Sequence, residues 1–328
     1  MKKLGIYIPT YNRAKKLKTC LDGFLNELGD IDFDIYISDN NSTDRTEYIV
    51  KSLMKRYRQI HYKKNNIKNQ RTFSSNIVNL LSMIDTEYIW LFGDDDVIKK
   101  GAIKIVMKEL KSNDFLLVNS EVWDSSMYKI VQERRLPIYK DVIYSNGDHN
   151  QVLADAENGY AGFIGTIITR GIYIAKELKK LKNRNFYWGD FLHIPILFRS
   201  IVDKRGKFIA DPLIRYRSAK KTNFVGKEFE LVVLEFPNAL KMLRPYYSRE
   251  VIASHSKISI YRAVAISCVS KLRYPEKSRI YAKMVMRSDS LSLIHKSIML
   301  SILNAPNILV KLVCLSYAKL VSKNLPLG

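Results

Sequence analysis

Three adjacent carboxylates, Asp94-Asp95-Asp96, follow an apolar run at residues 88–92. Like charges so close together repel, and packing returns nothing for them. A divalent cation relieves the repulsion, because hard cations take carboxylate oxygens and leave positions open for phosphate. The plainer alternative is a surface turn whose aspartates cap the next helix. A second polar cluster, Asp39-Asn40-Asn41-Ser42, follows the apolar run at 33–37. Asp39 has the chemistry to accept hydrogen bonds from a nucleotide base or ribose; it could also simply end a strand, with Ser42 or Thr43 capping the following helix. A third cluster, Thr10-Tyr11-Asn12-Arg13, follows a run at 4–8 and Pro9.

The elements that must position these clusters alternate. Short apolar runs at 4–8, 33–37, 60–63, 88–92 and 115–119 read as strands, and helical spacing fills 14–28, 46–57, 73–83 and 101–111 between them. Alternation of this kind implies a mostly parallel sheet covered by helices on both faces, an α/β fold. In such sheets ligands bind beyond the carboxyl ends of the strands. All three clusters sit at such ends, so topology brings them to one rim. Further strands are expected at 165–169 and 213–217. From 226 onward the pattern is helical, which sets expected domains at 1–225 and 226–328.

The segments Ile8-Pro9-Thr10-Tyr11-Asn12-Arg13, Ser38-Asp39-Asn40-Asn41-Ser42-Thr43-Asp44 and Trp90-Leu91-Phe92-Gly93-Asp94-Asp95-Asp96, in that order and spacing, resemble glycosyltransferase family 2. The likeness extends to its bacterial surface-polysaccharide members and their O-antigen, abequosyl-like branch. Asn66-Ile67-Lys68-Asn69-Gln70-Arg71-Thr72-Phe73 is similar to a loop of that branch, with Lys68 in place of its glycine and Thr72 in place of its asparagine. The resemblance implies a GT-A fold, Rossmann-like, with a helical C-terminal extension. It also implies transfer of a sugar from a nucleotide-diphosphate sugar donor to a saccharide acceptor linked to polyprenyl diphosphate. Pro9, Thr10 and Tyr11 would line the base pocket with Arg13 nearby, and Asp39 would contact the base. Arg71 would reach the nucleotide and Asp94 the ribose. Asp95, with Asp96 beside it, would bind Mg²⁺ or Mn²⁺, the ion that neutralises a diphosphate leaving group. The acceptor hydroxyl needs a base: Asp190, in Tyr187-Trp188-Gly189-Asp190-Phe191, fits the family's position, with His193 as the alternative and a plain helix cap as the non-catalytic reading. Arg217 matches an arginine of the branch that follows its last core strand, and guanidinium grips phosphate in a bidentate manner.

The 328 residues carry a net charge of +22 and are 47% hydrophobic and 26% charged, a globular composition that points to anionic partners. No zinc finger, RNP-type or basic-zipper pattern accompanies the charge, so nucleic acid is not an expected partner. A nucleotidyltransferase would open on a glycine-rich phosphate loop, which is absent. The charge concentrates late: residues 251–328 hold twelve Lys or Arg against Glu276 and Asp289. Lys311, Lys319 and Lys323 fall within about a 120° arc of one helix, interleaved with Ile308, Leu309, Leu312, Val313 and Leu320. Such a helix suits the plane of an anionic membrane surface. The alternative is helices that pack on the catalytic domain and expose their lysines. No apolar stretch reaches the roughly 20 residues of a span, and the first apolar run is too short for a signal peptide. Three scattered cysteines, Cys20, Cys268 and Cys314, form no disulfide or zinc pattern and suit a reducing compartment. The expected location is therefore cytoplasmic, peripheral on the inner face of the cytoplasmic membrane.

Overall fold

A computed structural model describes residues 2–29, 31–65, 72–157, 160–182, 189–218, 227–256 and 260–324. The chain divides into two compact units, residues 1–220 with 243–251, and residues 221–242 with 252–328. The sequence expectation of a boundary at 225 thus meets a more interleaved division: residues 243–251 return to the first unit. There the Tyr247 hydroxyl donates to the Phe198 carbonyl at 2.6 Å.

The first unit is built on strands β1 (Lys2–Thr10), β2 (Phe33–Asp39), β3 (Ile60–Lys64), β4 (Thr86–Leu91), β5 (Val97–Ile98), β6 (Phe115–Trp123), β7 (Ile130–Gln132), β8 (Val142–Tyr144), β9 (Ile167–Arg170) and β10 (Gly206–Arg217). They form one sheet in the order β3-β2-β1-β4-β9-β6-β10-β5, with β7 on β6 and β8 on β10. From β3 to β4 every pairing is parallel. β9 then inserts antiparallel to both β4 and β6, and β10 runs parallel to β6. The expected strands at 165–169 and 213–217 are present; the second is the end of a much longer strand, with an irregularity between Ile209 and Ile214.

Helices α1 (Ala14–Leu25), α2 (Thr46–Met54), α3 (Phe73–Leu81), α4 (Ala102–Glu109), α5 (His149–Asp155), α6 (Gly171–Lys182) and α7 (His193–Ser200) complete this unit. α1 buries Leu17, Cys20, Leu21 and Phe24, the stripe its 3.6-residue period places on one face. Phe24 meets Phe92 and Phe33 edge to face, at 4.8 and 6.3 Å between centroids. Full burial of each such side chain contributes about 1.5–3 kcal/mol, which fixes α1 over the β1–β2–β4 surface.

In the second unit the helices Ile260–Arg273, Ser278–Arg287, Leu293–Asn304 and Asn307–Asn324 are long enough to pack among themselves. Phe229, Val233, Ala263, Tyr281, Val285, Leu291, Met299 and Leu303 form its main core, and Cys268, Ile302 and Val310 a smaller one. Among the described residues no helix is long and apolar enough to cross a membrane.

Candidate active site

Register brings the polar clusters together. Thr10 is the Cα partner of Asp39, and Asp39 of Lys64, so β1, β2 and β3 end at one level. The Asn40 N–H donates to the Thr10 carbonyl at 2.9 Å and the Asn65 N–H to the Asp39 carbonyl at 2.8 Å, extending the rim past the strands. Asn12 and Asn41 turn the chain at φ values of 52° and 64°, a left-handed conformation that asparagine tolerates better than most residues. The Asn12 N–H donates to Ser42 Oγ, and the Thr43 N–H to Asn12 Oδ1, both at 2.8 Å. Ser42 and Thr43 therefore tie two loops together.

The carboxylate cluster joins the same rim. Thr10 Oγ1 donates to Asp94 Oδ2 at 2.8 Å, and the Arg13 guanidinium reaches Asp94 Oδ1 at 2.6 Å and Asp95 Oδ2 at 3.1 Å. Lys16 Nζ reaches Asp95 Oδ2 at 3.1 Å. Asp94 and Asp96 are buried, and Asp95 is partly open. Burial pushes the Asp94 carboxyl up and Asp96 well up, with Asp95 beside each adding to the rise. A Cβ on Gly93, at the head of the turn, would stand 2.6 Å from Asp96 Oδ2, so any larger residue there would displace that carboxylate.

Asp39 is fully buried, taking the Ser42 N–H on Oδ1 at 2.8 Å and the Tyr62 hydroxyl on Oδ2 at 2.6 Å. Each carboxylate oxygen keeps a further lone pair. Beneath it, Ser38, Asn65 and Asn76 share hydrogen bonds of 2.7–3.0 Å, and Asn76 Nδ2 donates to the Thr10 carbonyl at 3.3 Å. Pro9 is buried in β1 and Tyr11 is exposed at the rim.

Arg217, expected from the sequence to grip phosphate, stands at the carboxylate turn. Its Nε donates to the Asp95 carbonyl at 2.8 Å, a second guanidinium nitrogen to the Ser125 carbonyl at 2.9 Å, and its backbone N–H to Asp96 Oδ1 at 2.9 Å. These bonds brace the carboxylate turn. Another cation was not visible in the sequence as a site residue: Arg135 lies 4.3 Å from the Tyr216 ring and 5.1 Å from those of Tyr160 and Phe163. Its charge acts on Asp96. Its aromatic partners come from distant stretches, so no local motif signals it.

Asp190 is half-buried in the turn after Gly189. That turn is tied to α3, because Ser74 Oγ donates to the Gly189 carbonyl. His193, by contrast, opens α7 inside the protein, 2% exposed. Its Nε2 donates to the Gly162 carbonyl at 2.9 Å, and its Nδ1 is buried without a hydrogen-bond partner. Burial holds its pKa down at about 4. Arg71 and Trp188, named from the sequence, lie outside the described residues.

Among the described residues no three His, Cys, Asp or Glu side chains are arranged to share one ion. The turn instead offers Asp95 and Asp96 beside a third carboxylate. That donor set fits Mg²⁺ or Mn²⁺ held by one or two carboxylates with diphosphate oxygens and water.

Residues 5–168 match the family model described as glycosyl transferase family 2. An abequosyltransferase of Salmonella typhimurium is 23% identical over 304 residues, covering 86% of this chain and 89% of that protein. A GalNAc(5)-diNAcBac-PP-undecaprenol beta-1,3-glucosyltransferase of Campylobacter jejuni is 32% identical over 110 residues, 33% of this chain and 35% of that protein. The structure of Staphylococcus aureus TarS 1–349 in complex with UDP-GlcNAc superposes with a TM-score of 0.60 at 14% identity, covering 98% of this chain and 90% of that one. At that identity the likeness concerns the fold.

Proposed function

The chain belongs to glycosyl transferase family 2, and from that premise we propose that it moves a sugar from a nucleoside-diphosphate sugar to a saccharide acceptor on a polyprenyl diphosphate, in bacterial surface-polysaccharide synthesis. The observation that carries this reading is the joining of the three rims: Thr10 and Arg13 of the first hold Asp94 of the third, while the Thr10 carbonyl holds Asn40 of the second. Three strand ends fixed this way make a floor for one nucleotide.

In this reading the base lies toward Asp39, Pro9, Thr10 and Tyr11, and the ribose toward Asp94. Arg71, which lies outside the described residues, is assigned to the nucleotide by the family resemblance alone. Arg13 and Lys16 set positive charge beside Asp95, where the diphosphate comes to rest. Asp95 with Asp96 would hold Mg²⁺ or Mn²⁺, which would neutralise charge on the leaving diphosphate. Arg217 keeps the carboxylate turn in register. Asp190 takes the acceptor hydroxyl proton as the oxygen attacks the anomeric carbon and the bond to the nucleoside diphosphate breaks. His193 is the weaker candidate base, because its one free lone pair, on Nδ1, is buried.

The test is a thermal-shift panel of UDP, GDP, CDP and dTDP with and without Mn²⁺. One nucleoside diphosphate at about a hundredfold its Kd should stabilise the protein by about 2.7 kcal/mol. No stabilisation by any of them removes the donor reading, and stabilisation indifferent to EDTA removes the metal.

The same reading sets the protein at the inner face of the cytoplasmic membrane, where lipid-linked acceptors are held. Ile308, Leu309, Leu312, Val313 and Leu315 are exposed on the helix Asn307–Asn324, whose Val310 is buried; the side chains of Lys319 and Lys323 lie outside the description. Twelve basic against two acidic residues in 251–328 favour an anionic surface. Sedimentation with anionic vesicles that falls steeply as salt rises supports this placement, and no sedimentation at low salt removes it.

A further inference from the structure

Arg135 is brought to its place by bonds to its own backbone, since residues 133–136 follow β7 outside any helix or strand. The Arg135 N–H donates to the Ser120 carbonyl at 2.8 Å. Asn119, fully buried in β6, takes the Leu136 N–H on Oδ1 at 3.0 Å. Its Nδ2 donates to the Leu136 carbonyl at 2.9 Å and to the Ala210 carbonyl at 3.2 Å. Ala210 stands in the irregularity of β10. One buried amide thus clamps the segment of Arg135 to β6 and β10 together.

The side chain so placed is a cation among three rings, those of Tyr160, Phe163 and Tyr216. Phe163 meets Tyr216 edge to face at 5.1 Å, and the Tyr160 hydroxyl donates to the Val118 carbonyl. Arg135 Nη1 is buried without a hydrogen-bond partner. An apolar side chain of similar length would fill this cage without desolvating a charge. The ring faces and Asp96, on which the charge acts, offset that cost.

The rings lead to both reacting sides. Tyr216 precedes Arg217 in β10, whose backbone N–H holds Asp96 Oδ1 at 2.9 Å. Tyr160 and Phe163 stand on either side of Gly162, whose carbonyl takes His193 Nε2 at 2.9 Å. His193 opens α7 three residues after Asp190, and the Leu192 N–H closes the turn between them on the Gly189 carbonyl at 3.2 Å. One guanidinium is therefore the joint between the strand that braces the carboxylate turn and the segment that seats the Asp190 turn.

We propose that Arg135 is a positioning residue for sugar transfer: caged by Tyr160, Phe163 and Tyr216, it sets the Asp190 turn against the carboxylate turn. The proposal rests on the reading of the carboxylate turn as the donor site and of Asp190 as the base. Attack by the acceptor oxygen needs the base and the anomeric carbon in line, and a misplacement of about 1 Å can cost about 10²-fold in rate. Arg135 touches neither substrate in this scheme; it acts through the placement of Asp190.

The test is a double-mutant cycle in the full chain. Release of nucleoside diphosphate from the sugar nucleotide that binds, with a polyprenyl-diphosphate-linked saccharide as acceptor, gives kcat. Arg135→Met keeps the length and loses the charge and the plane; its kcat should fall about ten- to a hundredfold, with nucleoside diphosphate affinity within about threefold of wild type. In an Asp190→Asn background the same substitution should cost less than about threefold, because a residue that acts by aiming Asp190 then has nothing to aim. Equal losses in the two backgrounds overturn the proposal and leave Arg135 as packing. So does a kcat within about threefold of wild type, or a fall confined to nucleotide affinity. If Arg135→Met fails to fold, Arg135→Lys is read in the same two backgrounds. It keeps the charge without the stacking plane, and its kcat should fall about three- to tenfold; a wild-type kcat overturns the proposal. Wild-type protein that binds no nucleoside diphosphate removes the sugar-transfer reading and this proposal with it, whereas equal transfer by wild type and Arg135→Met removes this proposal alone.

Discussion

Asp94 and Asp190 are both carboxylates at the candidate site, but they are held by different means. Asp94 is buried and locked by Thr10 and Arg13, whose own loop is bonded to the loop after β2. Asp190 is half-buried on a turn anchored through Ser74 of α3, the helix whose Asn76 also bonds the Thr10 carbonyl. The donor side is thus preorganised by a closed set of side-chain bonds, and α3 links that set to the turn of Asp190. Preorganisation of this kind serves binding of a charged group, whereas a base must stay accessible to a proton that arrives with a second substrate. Substitutions on the two sides should therefore separate into binding effects and rate effects.

The largest expected effect is on rate. Asp190→Asn should lower kcat by about 10²–10⁴ and leave nucleoside diphosphate affinity within about threefold. Steady-state kinetics with calorimetry on the same variant reads both. A variant that keeps more than about a tenth of wild-type kcat hands the base role to His193 or to another group.

Next is a stability effect that decides what His193 is for. Its folded pKa, about 4, lies below the ordinary 6.5 because the charged ring is disfavoured by burial. Between those values the unfolded chain binds more protons than the folded one. The contribution is therefore fully present above pH 6.5 and is lost as pH falls toward 4, a change of up to about 3 kcal/mol. Denaturant titrations of wild type and His193→Gln across that window should show the slope in the first and a reduced one in the second. Equal slopes would mean that His193 does not carry this dependence.

Asp95→Asn should weaken nucleoside diphosphate binding in Mn²⁺ about tenfold, or about 1.4 kcal/mol. The donor side then proves to depend on charge at the one partly open carboxylate. Calorimetry showing wild-type affinity would move the holding of the diphosphate from Asp95 to neighbouring cations such as Arg13 and Lys16.

How much of this arrangement the sequence disclosed depends on the range of the contacts. Strand ends at Thr10, Asp39 and Phe92 were legible because buried parallel strands read as continuous apolar runs and their polar ends mark the rim. The direction of β9 was not legible, because four residues of apolar sequence carry no sign of antiparallel pairing. Arg217 was legible as a cation near the site; that its guanidinium would be spent on two carbonyls depended on the irregularity in β10 and on the position of Ser125. His193 read as the alternative base from its type and its place one turn after Asp190; its burial against the Gly162 carbonyl depends on a contact that no local pattern signals. Arg135 depended on three rings that converge from Tyr160, Phe163 and Tyr216.

The smallest expected effect on donor affinity tests whether preorganisation on the donor side extends to the base pocket. Tyr62 donates its hydroxyl to Asp39 Oδ2 at 2.6 Å from the neighbouring strand β3. Tyr62→Phe keeps the ring and removes only that donor. The buried carboxylate retains the Ser42 N–H on its other oxygen, so it is not orphaned, but it loses a charge-assisted bond. Such a bond contributes about 1.5–3 kcal/mol to stability, less where a nearby group rearranges. If Asp39 meets the base, the loss also loosens the oxygen that must aim at it, and donor affinity should fall about threefold while kcat holds. Calorimetry with the preferred nucleoside diphosphate, beside a denaturant titration, separates the two outcomes. A fall in stability with unchanged affinity would show that the Tyr62 bond braces the β2–β3 rim without tuning the base contact; a fall in both ties the aim of Asp39 to its neighbour strand.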